Sequence, residues 1–153
     1  MVNKECELFR IVPRERLDYL FQHSCASAAL DYTFLGSEDV YRPVSDYVPK
    51  DKVILDLGCS YAVQSWYFRP FKKYIGVDVW MDDDSVIHTE NSEFYFVSIQ
   101  EFIRDIFPKL GYGLDDVFAI LSYVPDWQAE ELVLKTFPHC RVVYPCRIDV
   151  TRK

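Results

Sequence analysis

Residues 53–68 read VILDLGCSYAVQSWYF, and this stretch decides the fold. Val53, Ile54 and Leu55 form a β-branched, apolar run that leads into Asp56-Leu57-Gly58-Cys59-Ser60. A segment with helical spacing follows and stops before Pro70. Strand, tight loop of small residues, then helix start is the arrangement that turns backbone N–H groups and a helix dipole toward a bound cofactor. A second apolar run, Tyr74-Ile75-Gly76-Val77, closes on Asp78, 22 positions after Asp56. That interval is close to the ~20 residues expected between a glycine-rich turn and the acid that holds a ribose.

Upstream, Pro13 suits the first position of a helix that carries Leu17, Leu20, Phe21, Ser24, Cys25 and Ala28 on one face. Ser37, followed by Glu38 and Asp39, predicts another helix start, short or kinked at Pro43 and ending near Val48. Residues 49–52 make a polar turn into the first strand, Val53–Leu57.

Downstream, helices and strands alternate. Ala62–Phe68 is predicted as a helix, Lys73–Asp78 as strand two, and Trp80–Ser92 as an irregular acidic segment. Strand three is Glu93–Val97. Ser98-Ile99-Gln100-Glu101 matches the S-x-x-E capping box, ahead of a helix with Phe102, Ile103, Ile106 and Phe107 on one face, ending at Pro108. Val117–Ser122 is strand four, an unbroken apolar run of the kind buried on both faces. Asp126 suits the cap of a helix that Pro138 ends, and Arg141–Tyr144 is strand five.

This pattern predicts an α/β fold: a Rossmann-like, three-layer sandwich around a mostly parallel sheet of about five strands, in order 3-2-1-4-5. The whole chain, 1–153, reads as a single domain, with an N-terminal helical segment (1–49) and an α/β core (50–146). Pro145 is acceptable near the end of an edge strand, and only eight residues follow it. A final antiparallel hairpin is therefore expected to be missing. The fifth strand is expected to be a sheet edge, either capped by the short charged tail or paired with a second copy as a homodimer.

Composition bounds the function. Of 153 residues half are apolar and 16% aromatic, enough for a packed core. A net charge of -7 argues against holding nucleic acid by its phosphates. Five scattered cysteines with no CxxC suit reduced thiols, and the N-terminus has no apolar run of signal-peptide length. The expectation is a soluble, cytoplasmic protein with no membrane contact.

At these residues the sequence resembles the class I S-adenosylmethionine-dependent methyltransferases, over roughly Lys50 to Cys146. Val53–Ala62 (VILDLGCSYA) is similar to that family's first motif, and Tyr74–Asp78 (YIGVD) to its second. FVSIQ (96–100) and FAILSYVPD (118–126) match its third and fourth strands more weakly. The resemblance implies S-adenosylmethionine as cofactor. Asp56 would hold the methionine amino group, and Gly58, Ser60 and Ala62 would form the loop around the amino-acid moiety. Asp78 would accept both ribose hydroxyls, as an acceptor-only carboxylate can. Val79 and Trp80 would flank the adenine, with Ser98 and Ile99 at its edge. Ser122 would face the sulfonium. Tyr123 and Asp126 are the candidate catalytic residues, although Asp126 equally suits a helix cap. The family's glycines are replaced by Ser60 and Ala62, whose Cβ atoms approach the ligand. The acceptor would be a small molecule or a protein.

Other chemistries in the same residues are weaker. Gly58-Cys59-Ser60-Tyr61-Ala62 with Asp126 and His139 follows the chain order of an α/β-hydrolase triad, but this loop follows the first strand and no oxyanion loop precedes it. A dinucleotide fingerprint would need glycine where Ser60 and Val63 stand. Asp82, Asp83 and Asp84 with His88 and Glu90 lack calcium-loop spacing and read as a solvated acidic loop, so no metal is expected. Cys146, after Pro145, is read as structural. A second function class remains: a non-catalytic S-adenosylmethionine-binding or protein-interaction module on the same scaffold.

Overall fold

A computed structural model of the chain describes residues 35–122, 124, 126–143 and 150–152. The helix predicted from Pro13, together with Tyr123, Pro145 and Cys146, lies outside the described residues. Helix α1 is Leu35–Tyr47 and runs through Pro43. Proline removes one helical donor and one bond without forcing an end where neighbouring turns pack on a core.

Strand β1 (Val53–Leu57) is buried along its whole length. It lies between β2 (Lys73–Val77) and β4 (Val117–Ser122), parallel to both, with Asp56 opposite Gly76 on one side and Ile120 on the other. β3 (Ser92–Tyr95) extends the sheet beyond β2, and β5 (Cys140–Val143) extends it beyond β4. The parallel order 3-2-1-4-5 is the expected one.

The sheet does not end there. A sixth strand, β6 (Val150–Arg152), pairs antiparallel with β5, Arg141 opposite Thr151. The fifth strand is thus capped by the chain's own short tail, which adds one strand among the described residues and not a further two-strand hairpin. An antiparallel return needs no crossover, so the few residues after Pro145 suffice. The β5 edge proposed for a homodimer is occupied by the chain's own β6.

Alternation along β1 divides the core into two layers. Val53, Leu55 and Leu57 face helix α2, three helical stretches in direct succession (Ile99–Glu101, Phe102–Ile106 and Phe107–Leu110), and helix α3 (Trp127–Thr136). Their partners there are Phe102, Phe107, Ala129, Val133 and Phe137. Ile54 faces the other way, among Tyr41 and Val44 of α1, Phe68, Tyr74, Phe118 and Ile120. Asp56 shares the parity of Ile54, which sends its carboxylate under α1.

Two helices depart from expectation. The middle stretch of α2 is a π-helix, and Pro108 sits inside the helix instead of ending it. The wider π turn relieves the clash that a proline ring makes with the carbonyl four residues earlier. Gly111, at φ 80°, ends the helix in the left-handed conformation. The segment after the first loop, Val63–Phe68, is a 3-10 helix instead of an α-helix. Its tight i→i+3 bonds, Ser65 N–H to Ala62 C=O at 3.1 Å and Arg69 N–H to Trp66 C=O at 3.3 Å, suit a six-residue span closed off by Pro70.

Candidate functional site

The sheet order reverses direction between β1 and β4, and a crevice at the carboxyl ends of the strands on either side of that point is where open α/β sheets place ligands. The loop after β1 is built for close quarters there. Gly58, Ser60 and Ala62 have φ of 84°, 53° and 59°, all left-handed. For serine and alanine this conformation costs about 1–2 kcal/mol each, so the surroundings must hold it.

The end of β2 does so. The Val77 carbonyl accepts from Gly58 N–H at 2.7 Å and from Cys59 N–H at 3.1 Å. Asp78 Oδ2 accepts from Ser60 N–H at 2.9 Å, and its Oδ1 accepts from Trp80 N–H at 2.8 Å. Ala62 N–H donates to Cys59 C=O at 3.0 Å. The loop N–H groups of Gly58, Cys59, Ser60 and Ala62 are thus spent within the protein, and this is no phosphate cradle. Asp78 is half-buried, with one backbone donor on each oxygen. An ionised carboxylate has about four acceptor sites, so room remains for two hydroxyls. Trp80 is 87% exposed and Val79 is exposed, so both present free apolar surface beside that acid.

Asp56 behaves differently. It is 0% exposed. Its Oδ1 accepts from Tyr41 Oη at 3.2 Å, and its Oδ2 accepts from Gln64 Nε2 at 2.6 Å and from the Tyr74 hydroxyl. Burial pushes this carboxyl up from 3.8 to about 6, against the lowering pull of the Tyr74, Gln64 and Tyr41 hydrogen bonds. The same burial raises the Tyr41 and Tyr74 hydroxyls and the Cys59 thiol well above their ordinary values, so Cys59 is no thiolate nucleophile. Tyr41 Oη also lies 2.5 Å from Ser122 Oγ, tying α1 to the ends of β1 and β4 together. Gln64 Nε2 further donates to Cys59 C=O at 2.8 Å, while Gln64 Oε1 is buried with no hydrogen-bond partner among the described residues.

A further side chain closes on the loop. A Cβ built on Gly58 would stand 2.6 Å from Val124 Cγ2, so Val124 occupies the space beside that glycine. Gly76 is also required by contact, since a Cβ there would meet the Phe94 ring at 2.6 Å.

The remaining predicted residues are placed as follows. Ser98 caps α2, its Oγ accepting from Glu101 N–H at 3.1 Å, and Ile99 is buried behind it. Ser122 is buried against Tyr41. Asp126 caps α3, accepting from Gln128 N–H at 3.0 Å and Ala129 N–H at 3.2 Å, and from Gln100 Nε2 at 3.0 Å. The Gln100 hydrogen bond, with those backbone donors, holds its carboxyl below the ordinary value. His139 precedes β5 and its Nε2 lies 3.1 Å from Asp115 Oδ1, at the amino ends of the strands. Ser60 lies at the carboxyl ends, roughly 16 Å of strand away. No hydrolase triad is assembled.

Tyr41, Gln64, Tyr74 and Val124 were not anticipated. One signal pointed to the first three: an aspartate inside a continuously apolar strand must find buried donors.

No family model matches this sequence, and no curated protein does. Among solved structures, the chain is similar to a candidate methyltransferase from Streptococcus mutans in complex with SAH. The two are 16% identical with a TM-score of 0.46, over 69% of each chain. It is also similar to a candidate type II methyltransferase from Anaeromyxobacter dehalogenans, at 14% identity and a TM-score of 0.49, over 70% of this chain and 47% of that one. Among the described residues no helix is long and apolar enough to cross a membrane.

Proposed function

We propose that this chain binds S-adenosylmethionine at the carboxyl ends of β1, β2 and β4 and serves as a methyltransferase for a small-molecule or protein acceptor. The observation that carries the reading is the pairing of Asp78 with the left-handed loop at Ser60. It fixes a half-exposed carboxylate with spare acceptor sites next to an open tryptophan face, which suits a ribose and a base. A loop with its N–H groups already satisfied suits an uncharged nucleoside linkage better than a pyrophosphate.

The fit is uneven along the cofactor. Asp78, Val79 and Trp80 suit the nucleoside end. The methionine end does not fit Asp56, whose carboxylate is sealed by Tyr41, Gln64 and Tyr74, so no step is assigned to that residue. When bound, the cofactor would supply an activated methyl group. The chain's own contribution would be to hold the donor near an acceptor, which can lower a transfer barrier without a dedicated acid or base. Asp126, with three donors on its carboxylate, serves as a cap and a fixed negative charge beside the β4 end.

A second reading, a non-catalytic S-adenosylmethionine-binding or protein-interaction module, is favoured by the same sealed Asp56 and by Val124 against Gly58. Thermal unfolding separates the readings from unrelated nucleotide binding. S-adenosylhomocysteine should raise the midpoint and NAD should not. Label transfer from methyl-labelled cofactor to a mixed pool of amines and peptides then distinguishes enzyme from module. A shift with NAD alone would overturn S-adenosylmethionine binding in either reading.

A further inference from the structure

Trp127, the first residue of α3, is 70% exposed, and the site described above does not use it. An exposed indole offers a partner a broad apolar ring face with a polar edge. Glu131 lies four residues on, one turn along the same helix face, and is exposed as well. The loops around them carry mostly acidic charge, with Arg42 on α1 and Arg104 on α2 as the arginines of the flanking helices. The segments that follow β1 to β4, residues 58–68, 78–86, 96–101 and 122–131, contain no lysine or arginine. They contain Asp78, Asp82, Asp83, Asp84, Glu101 and Asp126 besides Glu130 and Glu131. Every lysine among the described residues (Lys50, Lys52, Lys72, Lys73, Lys109, Lys135) lies at or near the opposite, amino-terminal end of the sheet. A mostly acidic face concentrates cationic ligands. A bare indole with a carboxylate one turn away suits an ammonium or guanidinium group, held by its ring face and its charge together.

We infer that the Trp127 face of α3, at the acidic carboxyl end of the sheet, docks a basic peptide segment carrying lysine or arginine. The docking surface stands independently of methyl transfer; that the docked segment is the methyl acceptor rests on the function proposed above.

Fluorescence anisotropy tests it with a short fluorescein-labelled peptide of alternating lysine and serine, against a counterpart with glutamate in place of lysine. Binding is expected for the lysine peptide only, weakening as salt rises. Trp127→Ala should weaken it about tenfold, the scale of a partly desolvated cation–π contact, and Glu131→Gln should weaken it less. Both variants change exposed positions and should keep the wild-type unfolding midpoint and wild-type affinity for S-adenosylhomocysteine. Equal binding of the two peptides, or an unaltered Trp127→Ala, would overturn the proposal. So would self-association abolished by Trp127→Ala, which would assign the face to a second copy. Peptide binding without S-adenosylhomocysteine binding would keep this surface and remove the methyltransferase reading; the reverse outcome would do the opposite.

Discussion

The backbone N–H of Ser60 donates to Oδ2 of Asp78 across 2.9 Å, and this bond joins the loop after β1 to the acid that ends β2. Ser60 is held at φ 53° by it. The bond is charge-assisted, and such bonds contribute about 1.5–3 kcal/mol, enough to offset the left-handed strain of a residue with a Cβ.

Ser60→Gly should therefore leave the protein at least as stable as wild type. Relief of the strain is partly cancelled by the freer unfolded chain, for a net gain of up to about 1 kcal/mol. Urea denaturation measures it. A loss greater than about 1 kcal/mol would mean that the serine side chain makes a contribution the strain argument omits.

Gly58→Ala should destabilise by about 2–4 kcal/mol, because it adds both left-handed strain and a contact with Val124. Combining it with Val124→Ala should recover the steric part and leave about 1 kcal/mol of backbone strain. Additive losses in the double variant would show that the two residues do not meet.

Asp56 gives a pH signature. Its folded-state value of about 6 lies above the ordinary 3.8, so the native chain holds the extra proton between those values. This group favours folding below about pH 4, and that contribution is lost as pH rises through about 6. Asp56→Asn mimics the protonated form. Wild type should match it near pH 4 and fall behind it by roughly 3 kcal/mol above pH 7. Denaturant titrations of both proteins across that range supply the comparison, and a stability difference that does not change with pH would refute the assignment.

Tyr41→Phe removes one hydroxyl that serves both Asp56 and Ser122. Two buried polar groups lose a partner, which should cost about 1–3 kcal/mol while leaving the ring packed edge-on to Phe68. An unchanged denaturation midpoint would mean that the hydroxyl does not tie α1 to the sheet.

The parts of this fold that follow from local pattern were legible. β1 and β4 appear with the bounds read from their apolar runs, because strands buried on both faces leave little ambiguity. Ser98 and Asp126 cap the helices they were expected to start. What was not legible is non-local. Asp56 is sealed by Tyr41, 15 residues before it, and Tyr74, 18 after it, and no spacing rule connects those positions. Pro108 reads as a helix end unless the turn before it can widen, which depends on packing of Phe102 and Phe107. That the tail caps β5 as a strand is likewise non-local, since three residues carry no periodicity of their own and pair only because an edge is present. The position of Asp78 at the end of β2 was legible from the sequence, and its double backbone engagement only from the structure.

Titration calorimetry with S-adenosylhomocysteine, on wild type and on Asp78→Ala, is the most direct measurement. The account predicts one site per chain with a dissociation constant on the order of micromolar, weakened at least about tenfold by loss of the carboxylate. No heat with wild-type protein that is folded by its circular dichroism, or equal affinity in the Asp78→Ala variant, would contradict it.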